Sequence, residues 1–217
     1  MPEQQPHLSR RVRLSQRIAL FFLRLTGWKL VLNLPPTEKY VMVGAPHTSN
    51  WDLWYALLIM YGGGIRFNWL GKDSLFRFWP LSWLLRRLRG LPVNRRSRTN
   101  LVQQVVNLFA ERDSMIVAIA PEGTRSRSPG WRTGFYYMAL GAQVPIAFGY
   151  IDYRTKTLGV GGSLLPSGDI EADFAQIKAF YDEKQGRWPA LQGEVVLKRS
   201  TPLHEPGAPD STDLEQT

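Results

Sequence analysis

The chain has no cysteine, only three histidines and few acidic residues. Without cysteine there is no disulfide, thiolate nucleophile or cysteine-ligated metal, and the redox compartment stays open. The histidines, His7, His47 and His204, are scattered with no i,i+4 pair, so a metal hydrolase is poorly supported. No Gly-x-Ser-x-Gly elbow is present to carry a covalent acyl group. Near the N-terminus the longest uncharged apolar run is Ile18 to Leu23, far short of the about 20 residues a spanning helix needs. Residues 1–9 are polar, so no signal peptide is expected.

Against 18 Asp and Glu stand 27 Lys and Arg, a net charge of +9 over 217 residues. That excess implies an anionic partner: nucleic acid, anionic lipid or a phosphorylated substrate. Charge alone does not choose between them. The eight tryptophans suit a membrane interface. No zinc-finger, RRM or KH signature accompanies the charge, so no nucleic-acid partner is expected.

The length allows one sizeable core. Residues 1–34 read as an N-terminal basic amphipathic segment, 35–201 as the main domain and 202–217, rich in Pro, Gly, Asp, Glu and Thr, as a disordered tail. In the first segment Arg10, Arg13, Arg17 and Arg24 share one helical face, and Leu14, Ile18, Phe21, Phe22 and Leu25 fill much of the other. Two readings fit: a helix lying in an anionic membrane surface, or a helix docked on the core with a solvated basic edge. The stretch from Leu75 to Arg89 divides the same way, either an interfacial helix or a core helix kinked at Pro80.

Strands are expected at 40–45, 65–70, 114–120, 144–150 and 156–160, with a last candidate at 195–197. Helices are expected over 53–60, 75–89, 100–109, 135–140 (capped by Gly141) and 169–181. Strands alternating with helices define an α/β domain.

Two stretches carry chemistry. In His47-Thr48-Ser49-Asn50-Trp51-Asp52 a histidine stands at a strand mouth and an aspartate in the first turn of the next helix. A neutral imidazole accepts a proton from an alcohol, and a neighbouring carboxylate fixes its tautomer. Five residues apart on one helix the two would diverge by about 140°, so His47 must lie off the helix. An aspartate there also suits the free N–H groups of the helix start, without any chemistry. The second stretch, Pro121-Glu122-Gly123-Thr124-Arg125, follows another strand. Gly123 permits close approach of backbone to ligand, Thr124 donates a hydrogen bond, Arg125 can grip a phosphate, and Glu122 can orient that arginine. A plain glycine turn with solvated arginines is the simpler alternative.

In this order, with Glu122 75 residues after His47, the blocks resemble the glycerophospholipid acyltransferase family of the lysophosphatidic acid (1-acylglycerol-3-phosphate O-acyltransferase) type. The resemblance covers roughly Tyr40 to Ala147. It also takes in Gly71 to Arg95, where Arg95 matches an acceptor-binding arginine, and Val144-Pro145-Ile146. It implies a glycerol-3-phosphate acyltransferase-like fold, a single domain whose mixed sheet is flanked by helices.

By the same resemblance His47 is the general base, supported by Asp52. Arg95, Glu122, Gly123, Thr124 and Arg125 bind the acceptor, and Pro145 lies near the acyl or acceptor pocket. The reaction it implies moves an acyl group from an acyl-CoA or acyl-carrier-protein thioester to a lysophospholipid hydroxyl. That donor is a co-substrate, no cofactor is needed, and the protein is placed on the cytoplasmic side of an anionic membrane. The chain departs from the family pattern at Asn94, which precedes Arg95, at Trp131 to Phe135 and at Ala147-Phe148. These departures bear on the acceptor. A different lipid acceptor, or a non-catalytic lipid-binding protein, is the alternative.

Overall fold

A computed structural model describes residues 10–94 and 98–198. Its centre is β2 (Lys39–Ala45), which is buried along nearly its whole length. Side chains alternate across a strand. Val41, Val43 and Ala45 enter one apolar cluster, whereas Tyr40 and Met42 enter another. A strand covered on both faces must be apolar throughout, and Tyr40 to Ala45 is.

Around β2 a mixed sheet of seven strands forms in the order β1-β7-β6-β2-β5-β3-β4. β5 (Met115–Ile119) and β6 (Ile146–Asp152) flank β2, both parallel to it. β3 (Phe67–Lys72) and β4 (Gly90–Val93) extend the parallel part. On the other side β7 (Thr157–Leu164) turns back antiparallel to β6, and β1 (Lys29–Leu32) pairs parallel with β7. β1 lies in the stretch read from sequence as accessory, and through it that stretch joins the sheet.

The two clusters are the two helical layers. On one face lie α4 (Arg98–Ala110), α5 (Gly134–Ala142) and α6 (Ile170–Tyr181), supplying Phe109, Phe135, Tyr136, Phe174, Ile177 and Tyr181. On the other lie α1 (Arg10–Leu25) and α2 (Trp51–Gly63), supplying Ala19, Leu23, Leu58, Ile59 and Met60. Asp169 caps α6 by accepting the Glu171 and Ala172 N–H groups, and Gly64 ends α2 in the left-handed conformation.

Several expectations change. Pro80 does not kink a long helix: the segment breaks into a short 3-10 turn (Asp73–Phe76) and α3 (Trp79–Arg87), with Pro80 in the first turn, where its missing N–H costs nothing. Gln143, not Gly141, takes the left-handed position that ends α5. Residues 195–197 form no strand, only an isolated bridge between Leu197 and Trp131. The tail from 202 lies outside the described residues.

α1 docks through its small side. Ala19 and Leu23 are buried, whereas Leu14, Ile18, Phe21, Phe22 and Leu25 face outward. α3 buries none of its residues and exposes Trp79 and Trp83. No helix among the described residues is long and apolar enough to cross a membrane.

Candidate active site

Open parallel sheets present their loops at the carboxyl ends of the strands. At that end β5, β2 and β6 lie side by side, and each delivers one piece of the site. From β2 comes His47, beyond the helix as the 140° argument requires. α2 begins at Trp51, so Asp52 sits in its first turn. His47 Nδ1 lies 3.1 Å from Asp52 Oδ2, with the imidazole partly exposed and the carboxylate buried.

Asp52 is a hub. Its Oδ2 also accepts the Thr48 and Ser49 N–H groups, each at 3.0 Å; these belong to the loop before α2, so the carboxylate braces the histidine loop and does not cap the helix. Its Oδ1 accepts the Tyr153 hydroxyl at 2.8 Å, delivered by the end of β6. Burial, and then donation to Asp52, hold the Tyr153 phenol well above its ordinary value, so it stays a donor. With Nδ1 facing the carboxylate, Nε2 is the nitrogen left for chemistry.

From β5 comes Glu122. Its buried carboxylate accepts the His47 backbone N–H at 3.2 Å, and burial pushes its pKa up to about 7. It forms no ion pair with Arg125 among the described residues, so its visible work is to tether the histidine loop. Gly123 has φ +68, and a Cβ there would come within 2.9 Å of Arg132 Cζ. Glycine therefore allows Arg132 to lie over this turn. Thr124 accepts the Ser126 N–H through its hydroxyl oxygen, and Thr124 and Arg125 are both exposed. Arg95 lies outside the described residues. Pro145 stands at the opening of β6, its carbonyl accepting Val41 N–H. That is four residues upstream of Ala45, about 13 Å from the site end at 3.3 Å per residue, so Pro145 does not line this site.

Sequence reasoning passed over three contributors. Tyr153 is one. The second is the segment after α6: Thr48 Oγ1 accepts Trp188 N–H at 3.2 Å, and Gly186 packs so closely that a Cβ would meet Thr48 Oγ1 at 2.7 Å. The third is Arg187. Its guanidinium lies over the rings of Trp51, Tyr153 and Trp188 at 5.4, 5.9 and 5.5 Å. Such stacking holds a cation in place without spending its N–H donors. The only hint in the sequence was an Arg-Trp pair beyond the last helix.

A comparison with curated proteins finds no match. Among solved structures the chain is similar to the 1-acyl-sn-glycerophosphate (LPA) acyltransferase PlsC from Thermotoga maritima, with a TM-score of 0.54 and 14% identity over 81% of each chain. At that identity the likeness is one of fold, and it includes the mixed sheet. The profile of the family described as Acyltransferase matches residues 31–148, more than half of the 217 and inclusive of His47, Asp52 and the Glu122 turn. The chain belongs to the Acyltransferase family.

Proposed function

We propose that the protein transfers a fatty acyl group from an acyl-CoA or acyl-carrier-protein thioester to the hydroxyl of a lysophospholipid, with 1-acylglycerol-3-phosphate the first acceptor to try. The observation that carries this is His47 Nδ1 on Asp52 Oδ2, with the carboxylate fixed by Tyr153 and two backbone N–H groups. Nε2 takes the proton as the acceptor oxygen attacks the thioester carbon. The resulting oxyanion collapses, the C–S bond breaks, and the leaving thiolate recovers the proton from the imidazolium. Ester and free thiol are the products, and no group on the protein is acylated.

Arg132, over the Gly123 turn, and Arg187, over the Trp51 and Tyr153 rings, supply charge for an acceptor phosphate, with Arg95 and the exposed Arg125 as further candidates. Gly123 and Thr124 shape the turn that presents Arg125. The outward apolar sides of α1 and α3 support docking on a membrane, where a lysophospholipid resides.

The test is a panel of lyso-acceptors offered with acyl-CoA and with acyl-carrier protein, products read by mass, for wild type and His47→Ala. A general base contributes about 10²- to 10⁴-fold, and His47→Ala should lose that much in kcat. Turnover at the wild-type rate in the purified variant would remove His47 from the mechanism.

A further inference from the structure

At the far end of α2 lies a second basic site that the transfer chemistry does not use. α2 has 13 residues, so its ends are about 18 Å apart at 1.5 Å per residue. Where its carboxyl end meets α1 and the α3–β4 turn, a cavity of about 190 Å³ is bounded by Leu57, Met60 and Tyr61 and by Arg66, Arg87 and Arg89. None of these arginines forms an ion pair among the described residues.

Arg89 carries two unusual features. Its φ is +64, the left-handed region where a helix usually ends on glycine. Glycine stands next door instead, because a Cβ at Gly90 would strike Trp69 at 2.7 Å and the Leu85 carbonyl at 2.9 Å. The chain thus keeps an arginine where its backbone is strained. In addition Arg89 Nε is buried with no hydrogen-bond partner among the described residues, even though the carbonyl end of α2 is near. Burial, and then the charge of Arg66, hold its guanidinium below the ordinary value. An incoming anion pairs the Nε and offsets the cost of holding the Arg89 and Arg66 charges together, while the backbone strain remains.

We propose that this cavity binds the phosphate of an anionic phospholipid headgroup. A lipid fits better than a soluble phosphate because the surround is apolar and outward-facing: Leu14, Ile18, Tyr61, Leu84 and Leu88 are all exposed. The proposal rests on the membrane docking described above and adds a headgroup preference to it.

The experiment measures binding of the full chain to vesicles of phosphatidylcholine alone and mixed with phosphatidylglycerol. It compares wild type, R66Q/R89G and R77Q/R86Q, the last removing two exposed arginines outside the cavity. The expected result is tighter binding of wild type to the mixed vesicles. R66Q/R89G should lose roughly 5-fold per arginine of that preference, and R77Q/R86Q clearly less. Because glycine accepts φ +64 freely, the single variant R89G should unfold at the wild-type temperature or above while losing preference.

Equal losses in the two double variants, or an R89G protein that melts lower yet keeps its preference, would overturn the site. Equal wild-type affinity for both vesicle types would overturn the site alone, and no binding to either would bring down the docking reading with it. Free glycerol phosphate bound through Arg66 and Arg89 without any vesicle preference would overturn the lipid assignment in favour of a soluble phosphate.

Discussion

Glu122 shows how one buried carboxyl ties the site to pH. Burial raises it to about 7 from an ordinary 4.5. A carboxyl whose folded value lies above its unfolded one binds its proton more tightly in the native state. Its contribution is therefore fully present below about 4.5 and is lost as pH rises through about 7. Glu122→Gln keeps an acceptor for the His47 N–H and has no charge to bury. We expect its stability advantage over wild type to be near zero at about pH 4 and to reach up to about 3 kcal/mol at about pH 8, by denaturant unfolding. The same difference at both pH values would contradict the assignment. His47, Asp52 and Glu122 were legible in the sequence because each belongs to a short block whose order is chemically unusual. Tyr153 was not: it lies 101 residues from Asp52, and only the pairing of β6 beside β2 brings them together.

At the level of elements, short apolar runs predicted most strands, and helical spacing located α1, α4 and α6. What failed was local arbitration. Pro80 reads equally as a kink or a first-turn residue, and only the 3-10 turn before it decides. β1 spans four residues, too short for a pattern to stand out, and exists because β7 offers an edge. Residues 186–188, between α6 and the strand expected at 195–197, carry no sequence pattern, yet they clamp the histidine loop. Gly186 lies against Thr48, whose N–H holds Asp52. Gly186→Ala places a methyl group 2.7 Å from Thr48 Oγ1, so the histidine loop must shift. Overpacking of this kind costs about 1–3 kcal/mol. The expected outcome is that loss in thermal unfolding together with a kcat reduced by about tenfold, since misplaced catalytic groups slow chemistry steeply. Wild-type kcat in a destabilised variant would mean that the clamp is structural only.

For the whole molecule, the excess of arginine over acid and the exposed aromatic surface belong to one arrangement. α1, α2 and α3 meet around the arginine cavity, and the Phe22 and Trp54 rings touch at 6.0 Å on the outer side of α1 and α2. Neutral vesicles isolate the apolar part of docking from the charge. Phe21→Glu, Trp79→Glu and Trp83→Glu should each weaken binding to phosphatidylcholine vesicles by about tenfold or more, the loss from one large apolar group. Because all three side chains are exposed, their unfolding should change by no more than about 0.5 kcal/mol. Unchanged vesicle binding in the triple variant would exclude this surface as the docking face.

The wiring of Asp52 has a consequence for how the protein fails. One carboxylate, in the first turn of α2, receives the histidine loop and the end of β6, and the clamp behind Thr48 is tied to the same point. A shift in any one of these pieces is therefore passed to His47 through a single carboxylate.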